Sequence, residues 1–322
     1  MVPTAGTYGS SLLVSIGIPT YERVDALGRA LESALAQTYT NLEIVISDNA
    51  SQDGTEDLCR RVAARDSRVR YLRQEVNRGS TANFNTLFAA CRGRYVAMLA
   101  DDDWMDPKYV SVCLRRLLED ESLAVVAGRP RYVQGEKFVS DGVSHHHVQP
   151  DGGDRVCGYL ASVDDNGVFY GLIRRSALAR AIPLPDVLGN DWLHVARLAY
   201  QGGIETLDTV RINRQIGGTS VDVLNILRAF GRPRWQARVP QLVMAWELLA
   251  DIGWRHAVYE PLGRVGRLRL AARAAVRSMR WKGLAWHLVT PTVARLRHRR
   301  RGRHLWSLYE RLTRALGAGR RR

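Results

Sequence analysis

Residues 12–48, LLVSIGIPTYERVDALGRALESALAQTYTNLEIVISD, switch between two hydrophobic periodicities. The apolar run Leu12–Ile18 ends at Pro19, as a buried strand does. The next apolar residues have the spacing of one helical face: Leu27, Ala30, Leu31, Ala34 and Leu35. Leu42–Ser47 is a second short apolar run. The segment predicts strand, helix and strand, the unit from which parallel sheets are built.

The same alternation continues to residue 127. Further strands are predicted at Val69–Leu72, Tyr95–Leu99 and Leu123–Ala127, with helical stripes between them. The predicted fold class is therefore α/β, a mostly parallel sheet flanked by helices. Residues 128–170 show no clear period, and we expect irregular loops and short strands there. A short helix is expected near Asp191.

The composition divides the chain into two parts. Residues 264–322 hold 18 Lys and Arg and one acid, whereas the other 263 residues hold 29 bases and 31 acids. Arg- and Trp-rich helical segments replace the strand signal after residue 225. We predict a sheet domain over 1–225 and a basic helical region over 226–322. A hydrophobic content of 46% excludes wholesale disorder.

Three features bear on the cellular compartment. The four cysteines are far apart, without a CxxC pair, which argues against a disulfide framework or a structural zinc site. The N-terminus lacks the layout of a signal peptide. No apolar run approaches about 18 residues, the length of a membrane-spanning helix. The sequence predicts a cytoplasmic protein whose membrane contact is peripheral.

Polar clusters follow three predicted strands: Pro19–Arg23, Ser47–Thr55 and Ala100–Pro107. In open parallel sheets, ligands bind beyond the carboxyl ends of the strands. The third cluster contains Asp101, Asp102 and Asp103 in succession, and such close like charges call for a cation. Mg²⁺ or Mn²⁺ bridging to substrate phosphates suits carboxylate ligands. A solvated turn that caps the next helix is the alternative.

Asp48 ends the second predicted strand. It can serve as a turn or N-cap residue, or it can accept a hydrogen bond from a nucleotide base. Asn77-Arg78-Gly79 follows the third strand and places a turn and a cation near the same edge.

Four motifs follow one another along the chain: PTYER, SDNASQDGT, NRG with ANFN, and YVAMLADDDW. Their order resembles that in the family 2 glycosyltransferases of the GT-A fold. The resemblance covers about residues 12–220. It implies an inverting enzyme that uses a nucleotide-diphospho-sugar. The residues that it assigns to nucleotide binding are Pro19, Thr20, Tyr21, Glu22, Asp48, Asn77, Arg78, Asp101 and Asp102.

The resemblance also implies a metal site and a catalytic base. The aspartate cluster matches the family's DxD motif, in which Asp103 and Asp101 would hold Mg²⁺ or Mn²⁺. Ala100 replaces the first aspartate of the common form of that motif.

A second motif, GNDWLHVARLAYQGG at residues 189–203, resembles the one that carries the family's catalytic base. The resemblance puts Asp191 in that role. Without the resemblance, Asp191 is a helix N-cap. Asn213 stands where the family has a histidine, beside Arg214.

The basic region admits three interpretations. An apolar helical stripe is predicted at Val265, Leu268, Ala272, Ala275 and Met279, with Arg269, Arg273, Arg277 and Arg280 beside it. Basic amphipathic helices with tryptophan bind anionic membrane surfaces, and we expect this of residues 264–322. Packing on the sheet domain is the second interpretation. Nucleic-acid binding is the third and lacks a recognition motif.

The sequence thus predicts metal-assisted transfer of a sugar from a nucleotide-diphospho-sugar, with a UDP-sugar favoured, to a hydroxyl group. The acceptor expected from family habit is a glycan or glycolipid of the cell envelope. One alternative is a nucleotidyltransferase that makes sugar nucleotides, against which the missing Gly-rich phosphate loop argues. The other is a binding protein without catalysis.

Overall fold

The computed structural model describes residues 12–216, 223–229 and 231–279. Ten strands form one sheet, with these bounds: β1 Val14–Thr20, β2 Leu42–Asp48, β3 Val69–Arg73, β4 Tyr95–Met98, β5 Trp104–Met105, β6 Leu123–Gln134, β7 Lys137–Asp141, β8 His146–His147, β9 Leu172–Arg174 and β10 Gly203–Gln215. The α-helices are α1 Val24–Leu35, α2 Thr55–Arg65, α3 Ser80–Ala90, α4 Tyr109–Glu119, α5 Gly152–Ser162, α6 Arg175–Ala179, α7 Asn190–Gln201, α8 Val223–Ala229, α9 Pro240–Ala250 and α10 Gly263–Ser278.

The sheet has a parallel half and a mixed half. Its strand order is β3-β2-β1-β4-β9-β6-β10-β5, and the first four strands run parallel. β9 is antiparallel to both β4 and β6, whereas β6 and β10 are parallel to each other. The predicted α/β class is confirmed, and each predicted strand and helical stripe up to residue 127 corresponds to an observed element.

Strand β2 shows why the apolar runs are unbroken. Ile44 and Ile46 point into one hydrophobic core, and Val45 points into the other, on the opposite face of the sheet. Successive strand residues face opposite sides. Most positions of a strand that is covered by helices on both faces are therefore apolar, and the buried Glu43 of β2 is paired with Arg70.

Residues 128–170 are more regular than the sequence suggested. β6 extends to Gln134, and α5 begins after Asp151, whose side chain accepts a hydrogen bond from the Asp154 N–H. His145 is buried, and its ring and that of His147 both form a hydrogen bond with the Ser162 hydroxyl.

The segments after residue 231 pack on the same core as the sheet. Leu248, Ile252 and Leu270 belong to the hydrophobic cluster that contains Val45. A buried ion pair joins Arg197 of α7 to Asp251, with 2.6 Å between nitrogen and oxygen. Asp251 begins a π-helical turn that ends at Arg255. The domain boundary near residue 225 stays a prediction.

Helix α10 buries a different face from the predicted one. Leu270, Ala271, Ala274, Ala275 and Ser278 are buried. Val265, Leu268 and Ala272 of the predicted stripe are exposed, and Ala275 is the member of that stripe that packs inward. The helix thus carries two apolar faces. The buried face consists mainly of small residues, which are sufficient for its contact with the core.

No helix among the described residues is both long enough and apolar enough to cross a bilayer. Most of the basic region, with Trp281, Trp286 and Trp306, lies outside the described residues. The predictions made for residues 280–322 therefore stay predictions.

Candidate functional site

The predicted site residues gather where the parallel strands end. Thr20 and Asp48 are the last residues of β1 and β2 and lie side by side in the register of these strands. After β4, the Leu99 N–H donates to the Gly17 carbonyl, and the chain then turns through Asp101–Asp103. The strand register thus brings the first, second and third polar clusters to one edge of the sheet.

Asp48 is a fully buried carboxylate with three donors. One oxygen accepts the Ser51 N–H at 2.8 Å. The other accepts the Tyr71 hydroxyl at 2.7 Å and the Arg73 guanidinium at 2.8 Å. A carboxylate offers about four acceptor positions, so one position remains for a further N–H donor. Asp48 is therefore an anchored acceptor rather than a mobile surface acid.

Arg23 lies between two aspartates of the third cluster. Its guanidinium is 2.7 Å from the Asp102 carboxylate and 4.0 Å from that of Asp101. Burial raises the pKa of Asp101 to about 7, and the charge of Arg23 partly opposes this rise. Arg23, the arginine of PTYER, thus provides part of the positive charge that the three successive carboxylates require.

Asp103 is almost fully buried and faces β10. The Arg214 Nε lies 3.1 Å from one of its oxygens, and the Gln215 N–H donates to the other at 3.0 Å. Burial raises the pKa of Asp103 to about 6, against the opposing charge of Arg214. The Arg214 guanidinium also lies over the Tyr170 ring, 4.9 Å from its centre. Arg214 is therefore held between an acid and an aromatic face.

Asn213 is not among the contacts of Asp103. Its side chain donates to Asp106 at 3.2 Å, next to the short antiparallel pairing of β5 with β10. Alternate residues of a strand point to opposite sides. Of the two neighbours, Arg214 reaches the aspartate cluster.

Asp191 occupies the first turn of α7, which begins after Gly189 in the left-handed region at φ 77°. It is partly buried, and burial raises its pKa, which a hydrogen bond from Asn166 lowers in part. The Asn166 amide nitrogen donates to the carboxylate at 2.9 Å, and the buried Tyr159 hydroxyl donates to the Asn166 amide oxygen at 2.8 Å. Two neutral hydrogen bonds in series therefore fix the orientation of Asp191.

Arg214 and Tyr170 connect the two groups of carboxylates. Arg214 interacts electrostatically with Asp191 as well as with Asp103. Tyr170 likewise interacts with acids from both groups. The structure thus brings Asp103 and Asp191 to one place, although they are far apart in the sequence.

The turn after β3 lines a cavity of about 340 Å³. Its wall includes Arg78, Thr81 and Asp186. Thr81 accepts a hydrogen bond from Asn190, the residue before Asp191, at 3.1 Å. One residue of the cavity wall, Thr81, thus connects the predicted nucleotide-binding turn to the start of α7.

The remaining predicted residues lie at the rim. Asn77 accepts a hydrogen bond from Asn49 at 2.7 Å, which ties the turn after β3 to the end of β2. Glu22 has a positive φ of 50°, and its backbone N–H donates to Ser51. Pro19 lies within β1, and the Tyr21 side chain is exposed. Among the described residues, none of these four side chains forms an ion pair of the kind that marks the aspartate cluster.

The sequence predicted the acidic residues of the site but not the residues that contact them. The PTYER motif assigns no role to Arg23, and neither Asn166 nor Tyr170 belongs to a recognisable motif. Asn166 follows Asp164-Asp165 in a segment without clear periodicity. A contact between two loops that are distant in the sequence has no local sequence pattern from which it could be predicted.

Comparison with known proteins identifies the first half of the chain. A family model described as glycosyl transferase family 2 matches residues 15–179. The chain is 39% identical to the chondroitin synthase of Escherichia coli over 131 residues, which are 40% of this chain and 19% of that protein. It is 38% identical over 97 residues to a UDP-Glc:alpha-D-GlcNAc-diphosphoundecaprenol beta-1,3-glucosyltransferase of E. coli, WfaP, covering 30% of this chain and 38% of that protein. The chain thus spans well under half the length of either relative.

Two solved structures share the fold. TarS of S. aureus, residues 1–349 in complex with UDP-GlcNAc, aligns with a TM-score of 0.58 at 15% identity, over 83% of this chain and 72% of that one. A mannosyltransferase from Pyrobaculum calidifontis in complex with GDP-Man and Mn²⁺ aligns with a TM-score of 0.51 at 18% identity, over 93% and 84%. The resemblance to the GT-A fold is thus confirmed, and because the family model covers half of its residues, the chain belongs to glycosyl transferase family 2.

Proposed function

We propose that the protein is an inverting glycosyltransferase that moves a sugar from a nucleotide-diphospho-sugar to an acceptor hydroxyl. The observation that carries this proposal is that Arg214 pairs with Asp103 and is also near enough to Asp191 for their charges to interact. The acidic cluster suits the donor diphosphate through a bridging divalent cation, and a separately held carboxylate suits proton abstraction. Family membership supports the same reaction class.

The donor is proposed to be a UDP-sugar. Asp48 is anchored at the end of β2 with one acceptor position left, which suits an N–H of a pyrimidine base. Arg78 lines the cavity and offers a cation to the diphosphate, and Asn77 ties the same turn to Asn49 at the end of β2. The neighbouring TarS structure contains UDP-GlcNAc, whereas the archaeal neighbour contains GDP-Man. The choice of UDP thus depends on Asp48 and its surroundings.

A divalent cation, Mg²⁺ or Mn²⁺, fits the residues present. Within the described ranges, no group of three or more His, Cys, Asp or Glu side chains is arranged to hold a metal by itself. Mg²⁺ is commonly held by one or two carboxylates together with substrate phosphates, so Asp103 and Asp101 suffice once the donor is bound. When bound, the ion would neutralise charge on the departing diphosphate.

The chain's own groups account for the rest of the chemistry. Asp191 takes the proton from the acceptor hydroxyl as its oxygen attacks the anomeric carbon, and the bond from that carbon to the diphosphate oxygen breaks. One displacement inverts the configuration. Asn166 keeps the carboxylate ionised and directed at the acceptor, and Arg214 adds positive charge beside the leaving group.

The acceptor is proposed to be a glycan or lipid-linked saccharide of the cell envelope, and the place of action the cytoplasmic side of the membrane. Two relatives are named for chondroitin synthesis and for transfer to a diphosphoundecaprenol-linked sugar. Residues 264–322, with 18 Lys and Arg against one acid, are the proposed contact with anionic lipid. Nucleic acid is not proposed as a partner.

A thermal-shift panel tests the donor class. UDP, GDP, dTDP and CDP are each added with and without Mn²⁺, since a ligand that binds the folded state raises the melting temperature. We expect UDP with Mn²⁺ to give the largest shift. A folded sample that responds to none of the nucleotides would contradict the proposed donor site.

A further inference from the structure

An exposed apolar face lies on the C-terminal part of the folded body. Its members, here called the Trp–Arg face, are Trp246, Trp254, Val265, Leu268 and Val276, with Arg269 and Arg277 beside them. Each of the five apolar side chains is at least half exposed. Soluble proteins seldom leave large apolar groups clustered without a partner.

The members of this face lie on three adjoining segments. The Trp246 ring on α9 contacts the Trp254 ring edge-to-face, with 5.9 Å between centroids. Gly253, next to Trp254, lies against Leu268 of α10. Arg267 donates to the carbonyls of Ile252 and His256, which fixes α10 to the turn that carries Trp254. The aromatic pair and the helix therefore form one surface.

Two parallel rows run along α10. Val265, Leu268 and Val276 follow one line of the helix, and Arg269, Arg273 and Arg277, spaced by four residues, follow the next line. Arg273 pairs with Asp154 at 2.6 Å, and both side chains of this pair are more than half exposed. The helix thus presents apolar and cationic rows side by side on the face that does not pack on the core.

We propose that the Trp–Arg face docks on the surface of a bilayer that contains anionic lipids. Trp places an apolar ring and a polar N–H at the boundary between acyl chains and headgroups, and Arg reaches lipid phosphates. The aliphatic row gains from contact with acyl chains and would gain nothing from a nucleic-acid backbone. The face is a folded contact that acts in addition to the basic segment after it.

Charge excludes the chain's own C-terminal segment as the cover of this face. Residues 280–322 hold 13 Lys and Arg and one acid. Such a segment repels the arginine row of α10, and both seek the same negative partner. Anionic lipid satisfies the face and the segment together.

Co-flotation of the full-length protein with vesicles tests the inference. Vesicles of phosphatidylcholine alone are compared with vesicles that also contain phosphatidylglycerol. We expect binding only to the anionic vesicles, and a loss of about tenfold or more in the Trp246→Ser/Trp254→Ser double variant. The Phe138→Ser/Val139→Ser variant on β7 is the matched control, since it removes two exposed apolar side chains elsewhere and leaves binding unchanged.

A second variant protects the test against misfolding. Arg269→Glu/Arg277→Glu changes exposed positions of α10 and reverses two charges, each worth about 1 kcal/mol near an anionic surface. We expect it to weaken binding by about tenfold or more. Full binding by both double variants would assign all lipid contact to residues 280–322 and overturn the inference, as would wild-type protein that ignores anionic vesicles or is displaced from them by duplex DNA.

The inference deepens the proposed membrane partner, and its readout is independent of catalysis. A protein that floats with vesicles through Trp246 and Trp254 but transfers no sugar would refute the proposed reaction alone. A protein that transfers sugar and ignores vesicles would refute the docking face alone.

Discussion

The two halves of the sheet hold their acids in different ways. In the parallel half, Asp48 and Asp102 are paired with Arg73 and Arg23 within 2.8 Å. In the mixed half, Asp191 is held by the neutral amide of Asn166. A guanidinium beside a carboxylate fixes its position through charge-assisted hydrogen bonds, which suits a role in binding rather than in proton transfer. An acid held by an amide can exchange a proton, because its charge is not locked by a direct ion pair.

This comparison predicts that substitutions in the two halves impair different properties of the enzyme. Variants of the parallel half should weaken donor binding. Variants around Asp191 should slow turnover and leave donor binding intact.

The largest effect is expected for Asp191→Asn. Removal of a positioned general base lowers the rate by about 10²- to 10⁴-fold, while the UDP-dependent thermal shift stays as in the wild type. Sugar transfer under donor saturation measures the first quantity. Wild-type turnover in this variant would break the comparison, because Asp191 would then be only an acidic residue in the first turn of α7.

Asp103→Ala should abolish most donor binding. The loss of a buried carboxylate that holds a cation against the diphosphate is worth several kcal/mol, or about 100-fold in affinity. Calorimetric titration with UDP and Mn²⁺ measures it, and Asp25→Ala in the first turn of α1 serves as the exposed control. An unchanged affinity would show that the donor does not use the aspartate cluster.

Asn166→Ala should lower turnover by about tenfold, because a hydrogen bond to a charged group is worth roughly 1.5–3 kcal/mol. The Asn166 hydrogen bond lowers the pKa of Asp191, which burial raises. Its loss therefore moves the acidic limb of the pH–rate profile, where Asp191 becomes protonated, to higher pH. Arg214, Tyr159 and Tyr170 also face this carboxyl group and are retained.

Asn190→Ala is the matched control for this profile, since the Asn190 amide donates to Thr81. If the acidic limb shifts equally in both variants, or in neither, then Asn166 does not control the pKa of Asp191.

The last expected effect concerns stability. His194 of α7 stacks on Phe88 and is fully buried, and burial lowers its pKa to about 3, with Arg197 and His256 acting in the same direction. Because the unfolded chain takes up the proton near pH 6.5 and the folded chain does not, stability falls as the pH drops below 6.5. The loss reaches about 2 kcal/mol at pH 5.

Chemical denaturation at pH 7 and pH 5 measures this loss. His194→Leu should show a smaller difference between the two pH values than the wild type, and His146→Leu, at an exposed position, should not. Equal losses in all three proteins would mean that His194 is not held neutral by the core.

The parallel half could be predicted from the sequence because its signals are local. Strand runs, helical stripes and the polar residues between them occur within a few residues of each other, so Asp48 and Asp101–Asp103 were placed correctly at the strand ends. The partners of these acids could not be predicted. Arg23 meets Asp102, and Arg214 meets Asp103, only after the sheet has formed.

Helix α10 shows the other limit. Its apolar stripe was visible, but the sequence did not reveal that a second, smaller face made of Ala and Leu residues would be the one to pack. Periodicity identifies which residues share a face. Burial depends on which surface the rest of the chain offers, and alanine-rich faces permit close approach without a strong hydrophobic signal.

The Arg197–Asp251 pair limits where this chain can be joined to a relative. The family match ends at residue 179, before both partners, so a chimaera joined there keeps the pair, whereas one joined between α7 and Asp251 separates it. Arg197 would then enter the core without its counter-ion, and breaking a buried pair in this way costs about 3–5 kcal/mol. Helix α7 and the turn at Asp251 must therefore come from the same parent protein in any such chimaera.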